Sequence, residues 1–172
     1  MNIKVSQYIQ PKVLDFIKED YTHYEKIDAF YNIAYAYKEI DAETRASENF
    51  RIYLQSNPNN TRKEVDACFR IADIFYLDKE NELAIEYYEK ALAYNTKLND
   101  KALYYVAKTY GYSGQGDLKV AKLTEILNSY ADSKYAMNAT YELANTYSSI
   151  GNNDDALTYY DNLIIDFPNS PF

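Results

Sequence analysis

Ala29-Phe30-Tyr31-Asn32-Ile33-Ala34 opens a short frame that closes on Tyr37 and then returns three times. The copies are Ala67-Cys68-Phe69-Arg70-Ile71-Ala72 with Phe75, Ala102-Leu103-Tyr104-Tyr105-Val106-Ala107 with Tyr110, and Ala139-Thr140-Tyr141-Glu142-Leu143-Ala144 with Tyr147. Their last alanines lie 38, 35 and 37 residues apart. Self-similarity at a period of roughly 34–40 residues marks a helical array rather than one compact core. Within the frame, small and apolar residues fall mostly on one broad helical face, and the paired alanines let a neighbouring helix come close. This is helix A of each repeat.

Twelve residues after the frame alanine a second alanine follows, at Ala46, Ala84 and Ala156, with an aromatic four residues on at Phe50, Tyr88 and Tyr160. That i, i+4 pair sets the inner face of a second helix, B. The third repeat departs: Lys119 stands twelve past Ala107, and the alanine is at 121. Two alignments fit, a two-residue insertion or no gap, and we prefer no gap because Gly114, Asp117, Leu123, Ile126 and Tyr130 then match Gly151, Asp154, Tyr160, Leu163 and Phe167. Pro58 and Pro168 fall where helix B should stop. Thr61-Arg62-Lys63-Glu64 reads as a capping box opening the second A helix, and Gly111, Gly114, Gly116 and Gly151 read as A-to-B turns. The A helices are expected near 25–40, 62–78, 99–112 and 135–149, and the B helices near 42–56, 80–95, 117–130 and 153–166. Residues 1–22, with Val5, Tyr8, Ile9, Val13, Phe16 and Ile17, suit a leading helix belonging to a preceding repeat, kinked at Pro11. The repeats then occupy 23–60, 61–98, 99–134 (degenerate) and 135–172, the last reading as cut from a longer array.

The composition excludes several classes. Hydrophobic residues make up 47% of the 172, enough for a folded chain, and 26% charged residues make a polar surface. No apolar run approaches the ~20 residues needed to cross a bilayer, so no membrane insertion by this chain is expected. A formal net charge of −8 and the lack of a basic cluster beyond Arg62-Lys63 argue against nucleic acid. Cys68 is alone, and its frame position predicts a buried structural cysteine.

These residues resemble the tetratricopeptide repeat, which asks for an aliphatic and a small residue, an aromatic, a second alanine and aromatic, and a terminal proline at set spacings. Ile33, Ala34, Tyr37, Ala46, Phe50 and Pro58 meet it in the first copy, and Leu143, Ala144, Tyr147, Ala156, Tyr160 and Pro168 in the fourth. The second copy gives Ile71, Ala72, Phe75, Ala84 and Tyr88 but has Thr96 for the proline, and the third has Lys119 and Ala131 at the alanine and proline positions. The resemblance implies an all-α fold, a right-handed superhelix (an alpha-alpha solenoid) of antiparallel helix pairs. The wording Tyr160-Asp161-Asn162-Leu163-Ile164-Ile165-Asp166-Phe167-Pro168-Asn169-Ser170 is also similar to bacterial envelope repeat proteins, of the Tol-Pal system and outer-membrane assembly lipoproteins. The tyrosine-rich long arrays of the Bacteroidetes read similarly, which points to a periplasmic or envelope location with the cytoplasm as alternative.

No catalytic, metal or cofactor site is legible. His23 is the only histidine, so ordinary metal or Ser-His and Cys-His arrangements cannot be assembled. Gly114-Gln115-Gly116 lacks the lysine of a phosphate loop, and Glu86 with Lys90 reads as a surface i, i+4 pair. In such an array the A helices line the concave groove in rows. The first row is Tyr31, Phe69, Tyr104 and Tyr141, the second Tyr35, Asp73, Lys108 and Asn145, and the third Lys38, Tyr76, Gly111 and Ser148. Members that grip a C-terminal carboxylate carry Lys and Asn in the first two rows; an aromatic first row suits instead a peptide with apolar anchors. Packing between layers is the competing reading of the tyrosines, as solvation is for Lys108 and Asn145. The expected function is a non-catalytic scaffold binding a peptide or protein partner. The alternatives are a structural module associating end to end through apolar surface near Ile164 and Phe172, and a regulatory segment of a larger protein.

Overall fold

The computed structural model describes residues 23–168, with side chains from Glu25 onward. The leading helix expected over 1–22, the side chain of His23 and the segment 169–172 lie outside the described residues. Among the described residues there are eight α-helices and no strand: α1 His23–Lys38, α2 Glu43–Gln55, α3 Thr61–Leu77, α4 Asn81–Ala93, α5 Asn99–Tyr112, α6 Gly116–Ser129, α7 Lys134–Ser149 and α8 Asn153–Asp166. Odd-numbered helices are of type A and even-numbered ones of type B, so the chain is an all-α repeat fold. It divides into two compact units, one ending at Ile74 and one beginning at Phe75, inside α3.

The frame residues are the core of both units. Ala34 and Ala72 in the first unit and Ala107 and Ala144 in the second are all fully buried, as are Ala46 and Ala84 of the B helices. An alanine at these sites sets how closely the helices approach. Larger side chains fill the spaces between: Phe50, Tyr53 and Phe69 in the first unit, and Tyr88, Leu103, Leu123, Ile126 and Leu143 in the second. Cys68 is buried, as its frame position requires.

Every A-to-B turn closes in one way. The amide of Ala42 donates to the carbonyl of Tyr37 at 3.0 Å, Glu80 to Phe75 at 2.9 Å, Gln115 to Tyr110 at 2.9 Å and Asn152 to Tyr147 at 3.0 Å. The acceptor is always the aromatic that ends the frame, and the bond spans five residues, which is the long bond of a Schellman motif. Such a closure needs a left-handed residue just before the donor. Those residues are Asp41 (φ 55°), Lys79 (φ 63°), Gly114 (φ 75°) and Gly151 (φ 77°). Glycine adopts this conformation freely, whereas a residue with a Cβ pays about 1–2 kcal/mol. Lys79→Gly should therefore raise stability by about 0.5–1 kcal/mol once the extra freedom of the unfolded glycine is offset. Urea unfolding checks it, and a loss of stability would show that the Lys79 side chain holds the turn.

The same hydrogen-bond register decides the third repeat. Ala46, Ala84, Lys119 and Ala156 each donate their amide to a carbonyl four residues back, at Ala42, Glu80, Gln115 and Asn152. Lys119 occupies the alanine position without a gap, and Ala121 is exposed. Gly111 makes the lysine possible. It lies inside α5 rather than in a turn, and a Cβ on it would sit 3.0 Å from Cδ of Lys119. The capping box also differs from expectation. The Asn60 side chain, not Thr61, accepts the Lys63 amide at 3.2 Å, while Glu64 reaches back to the Asn60 amide at 2.8 Å. The motif is reciprocal as predicted but begins one residue earlier, because asparagine caps at least as well as threonine.

Candidate functional site

The expected first and second rows have different chemistry in the two units. In the first unit, Tyr31 and Tyr35 on α1 lie edge-on to Phe50 of α2, with ring centroids 5.8 Å and 5.3 Å away. Both hydroxyls donate to one carboxylate oxygen, Oδ2 of Asp66 on α3, that of Tyr31 at 2.7 Å. Arg70 closes the network: its Nε donates to the Tyr35 hydroxyl at 3.0 Å, its Nη2 to Asp66 Oδ1 at 3.1 Å, and its Nη1 lies 3.5 Å from Asp73 Oδ2. Beside it, Lys63 pairs with Asp28, its ammonium 5.0 Å from the centre of the Tyr31 ring. Burial, then the hydrogen bonds to Asp66, push the Tyr31 phenol well above its ordinary value; burial leads for Tyr35 as well. The network joins successive A helices, and its polar atoms are committed to one another. Phe69 is buried at 2% exposure. The first row therefore loses Phe69 as a ligand-facing residue: packing has claimed it, because α3 is buried around most of its circumference here, with Val65, Ala67, Cys68, Ile71 and Ala72 inside as well.

In the second unit the rings stay at the surface. Tyr76 meets Tyr112 at 5.5 Å and Tyr105 at 6.2 Å; Tyr105 meets Tyr104 at 5.7 Å; Tyr104 meets Tyr135 of α7 at 5.2 Å. Behind this string, Tyr105 stacks on the buried Tyr88 at 5.5 Å. Lysines ride on the rings, Lys101 at 5.7 Å from Tyr105 and Lys108 at 5.9 Å from Tyr104. Tyr112 is 66% exposed and the others are partly so. Nearby carboxylates are engaged: Glu142 holds Lys119 at 2.6 Å, and Asp100 accepts from Ser133 at 2.5 Å. Burial, then the Glu142 carboxylate, pushes the Tyr104 phenol up to about 12, and burial, then the hydrogen bond the Tyr76 hydroxyl donates to Tyr112, raises Tyr76 as well. Tyr141 is half-buried, and Asn145 accepts the Tyr160 hydroxyl at 2.6 Å, so it is turned to α8 within its own repeat.

A pH prediction follows from Tyr104. A phenol that holds its proton more tightly when folded adds stability that is complete below about pH 10, the unfolded value. That stability is lost as pH rises toward 12. Spectrophotometric titration of the tyrosines should show a group that resists ionisation at the ordinary phenol value and ionises as helicity falls. A single transition at the ordinary value with helicity intact would contradict this.

The rows read from the sequence include Tyr76, Tyr104 and Lys108 of this string but not Lys101, Tyr105 and Tyr112, which complete the α5 stripe at intervals of three and four residues. The spacing was available as a signal. The rows also leave out Asp66 and Arg70, which no spacing within one helix reveals, since their partners are on α1. Among the described residues no group of three or more His, Cys, Asp or Glu is placed to hold a metal ion, and no helix is long and apolar enough to cross a membrane. A cleft of about 150 Å³ beside Leu127, Thr140, Tyr159 and Phe167 is well below the roughly 300 Å³ where small-molecule sites begin.

Two stretches match family models of the tetratricopeptide repeat, residues 65–97 and 138–170. The chain thus contains such repeats, and the second match identifies the Tyr160–Ser170 wording as part of one without singling out the envelope group. No curated protein matches the chain in sequence. Solved structures share the fold. A kinesin-light-chain protein of Podosopora anserina with nearly identical TPR-like repeats aligns with TM-score 0.69 and 14% identity, over 94% of this chain and 85% of its own. MamA aligns with TM-score 0.66 and 16% identity, over 80% and 76%. YrrB, described as a TPR protein with an unusual peptide-binding site, gives 0.65 and 18%, over 85% and 75%.

Proposed function

We propose that this chain is a non-catalytic scaffold of four tetratricopeptide-like repeats that binds a peptide or protein partner on the A helices of its second unit. The observation that carries the reading is the surface string of Tyr76, Tyr104, Tyr105 and Tyr112 with Lys101 and Lys108 set on it. Tyrosine supplies apolar area with little rotamer freedom to lose and a hydroxyl for hydrogen bonds, the combination found at binding hot spots. Among the described residues the first unit offers no comparable surface, because the hydroxyls of Tyr31 and Tyr35 are spent on Asp66. The peptide-binding description of YrrB and the general role of these repeats in protein interactions point the same way.

The test is site-specific photo-cross-linking in the cell of origin, with the probe at position 112 on α5 or at position 83 on α4. Adducts at 112 and none at 83 are expected, and Tyr104→Ala with Tyr112→Ala should weaken binding of the captured partner about tenfold or more. Adducts at 83 alone would move the interaction to the B helices.

A further inference from the structure

Within the second unit the tyrosine string runs from Tyr76 at the end of α3, over Tyr112, Tyr105 and Tyr104 of α5, to Tyr135 of α7. Neighbouring rings are 5.2–6.2 Å apart. Three of the pairs stand steeply, at 89° for Tyr76 with Tyr105, 80° for Tyr104 with Tyr105 and 62° for Tyr76 with Tyr112. Ring faces and ring edges therefore alternate along the surface. A polyproline II chain advances about 6.2 Å every two residues and can lay side chains on such rings in step. An α-helix advances about 5.4 Å per turn and matches the spacing too, so spacing alone does not choose between them.

Hydrogen bonding chooses. Among the described residues the Tyr104 hydroxyl has no hydrogen-bond partner, and Tyr112, which accepts from Tyr76, keeps its own proton for a ligand. The carboxylates alongside are already taken, Glu142 by Lys119 and Asp100 by Ser133. The surface thus has donors to spend and few acceptors. A helix uses its carbonyls internally and leaves its backbone nothing to offer those phenols. A strand brings a row of amide donors that need acceptors. A proline-rich chain in the polyproline II form brings carbonyls with no internal bonds and, at each proline, no amide to satisfy.

Charge narrows the ligand further. The whole chain carries −8, yet three lysines lie on this string, Lys101, Lys108 and Lys134, at 5.7, 5.9 and 5.1 Å from the rings of Tyr105, Tyr104 and Tyr135. Lys108 and Lys134 have no ion-pair partner among the described residues. We infer that the string, taken as the docking surface proposed above, binds a proline-rich segment of its partner in the polyproline II conformation, with glutamate or aspartate beside the prolines to meet the lysines.

Fluorescence anisotropy with the full chain tests this, using three labelled peptides of equal length. One alternates paired prolines with glutamate, one has its prolines replaced by alanine, and one has its glutamates replaced by lysine. The first binds, and the other two bind about tenfold more weakly or worse. Tyr112→Ala weakens the first peptide about tenfold and Tyr112→Phe about fivefold, through the lost ring and the lost hydroxyl. Tyr112 is 66% exposed, so both variants keep the fold. Lys108→Glu with Lys134→Glu exchanges the preference between the glutamate and lysine peptides, and Leu83→Ala on α4 changes nothing. Equal binding of the proline and alanine peptides would overturn the inference, as would an affinity indifferent to Tyr112→Ala. Failure of all three peptides overturns it as well, and cross-linking at position 112 then separates the cases. Adducts there leave the docking surface standing with a partner of other chemistry, and their absence removes both.

Discussion

Phe50→Ala should destabilise the protein by about 3–5 kcal/mol, at the upper end of what a buried aromatic costs. The side chain is fully buried, and two rings rest on it edge-first. A cavity is cheapest where neighbours can collapse into it. Here they cannot, because the Tyr31 and Tyr35 hydroxyls are tethered to Asp66 on another helix. Ile52→Ala is the control: it removes an aliphatic group from the same helix at a site 39% exposed, and should cost about 0.5 kcal/mol or less. Denaturant unfolding of the two variants decides it. Equal effects would mean that the first unit is packed more loosely than these ring contacts require.

Asp66→Ala should cost about 2–3 kcal/mol, the range for breaking a charged hydrogen-bond network. One carboxylate accepts from two phenols and a guanidinium. Removing it leaves the Tyr31 hydroxyl only its neighbour Tyr35, while Tyr35 keeps Arg70 and Arg70 keeps Asp73. The residual partners hold the loss below that of Phe50. A double-mutant cycle isolates the bond: Tyr31→Phe should cost about 1 kcal/mol when Asp66 is present and close to nothing when it is alanine. Additive effects would show that the Tyr31–Asp66 bond carries no coupling.

The repeat was legible because its signals are local. Alanines at fixed intervals, the frame aromatics and the turn glycines each act within one helix pair, and the helices begin and end close to where those signals put them. The Lys119 anomaly resolved the same way, since backbone register follows helix length. What escaped was set by contacts between successive A helices. Asp66 looked like any surface acid until Tyr31 and Tyr35 faced it from 35 and 31 residues away. Phe69 counted as a groove residue because its frame position matches Tyr31. Yet Tyr31 is partly exposed and Phe69 is buried. Repeat position predicts direction, and the neighbouring helix decides how much surface remains.

The turn closure that recurs at Tyr37, Phe75, Tyr110 and Tyr147 also bears on how fast the chain can fold. Each closure forms within six residues and docks a B helix onto the A helix just made, and the ties of α1 to α3 and of α5 to α7 reach back only about one repeat. Little chain entropy must be spent before the next contact repays it, so low contact order should place folding in the microsecond-to-millisecond range. Each tight turn is then a site where folding can start.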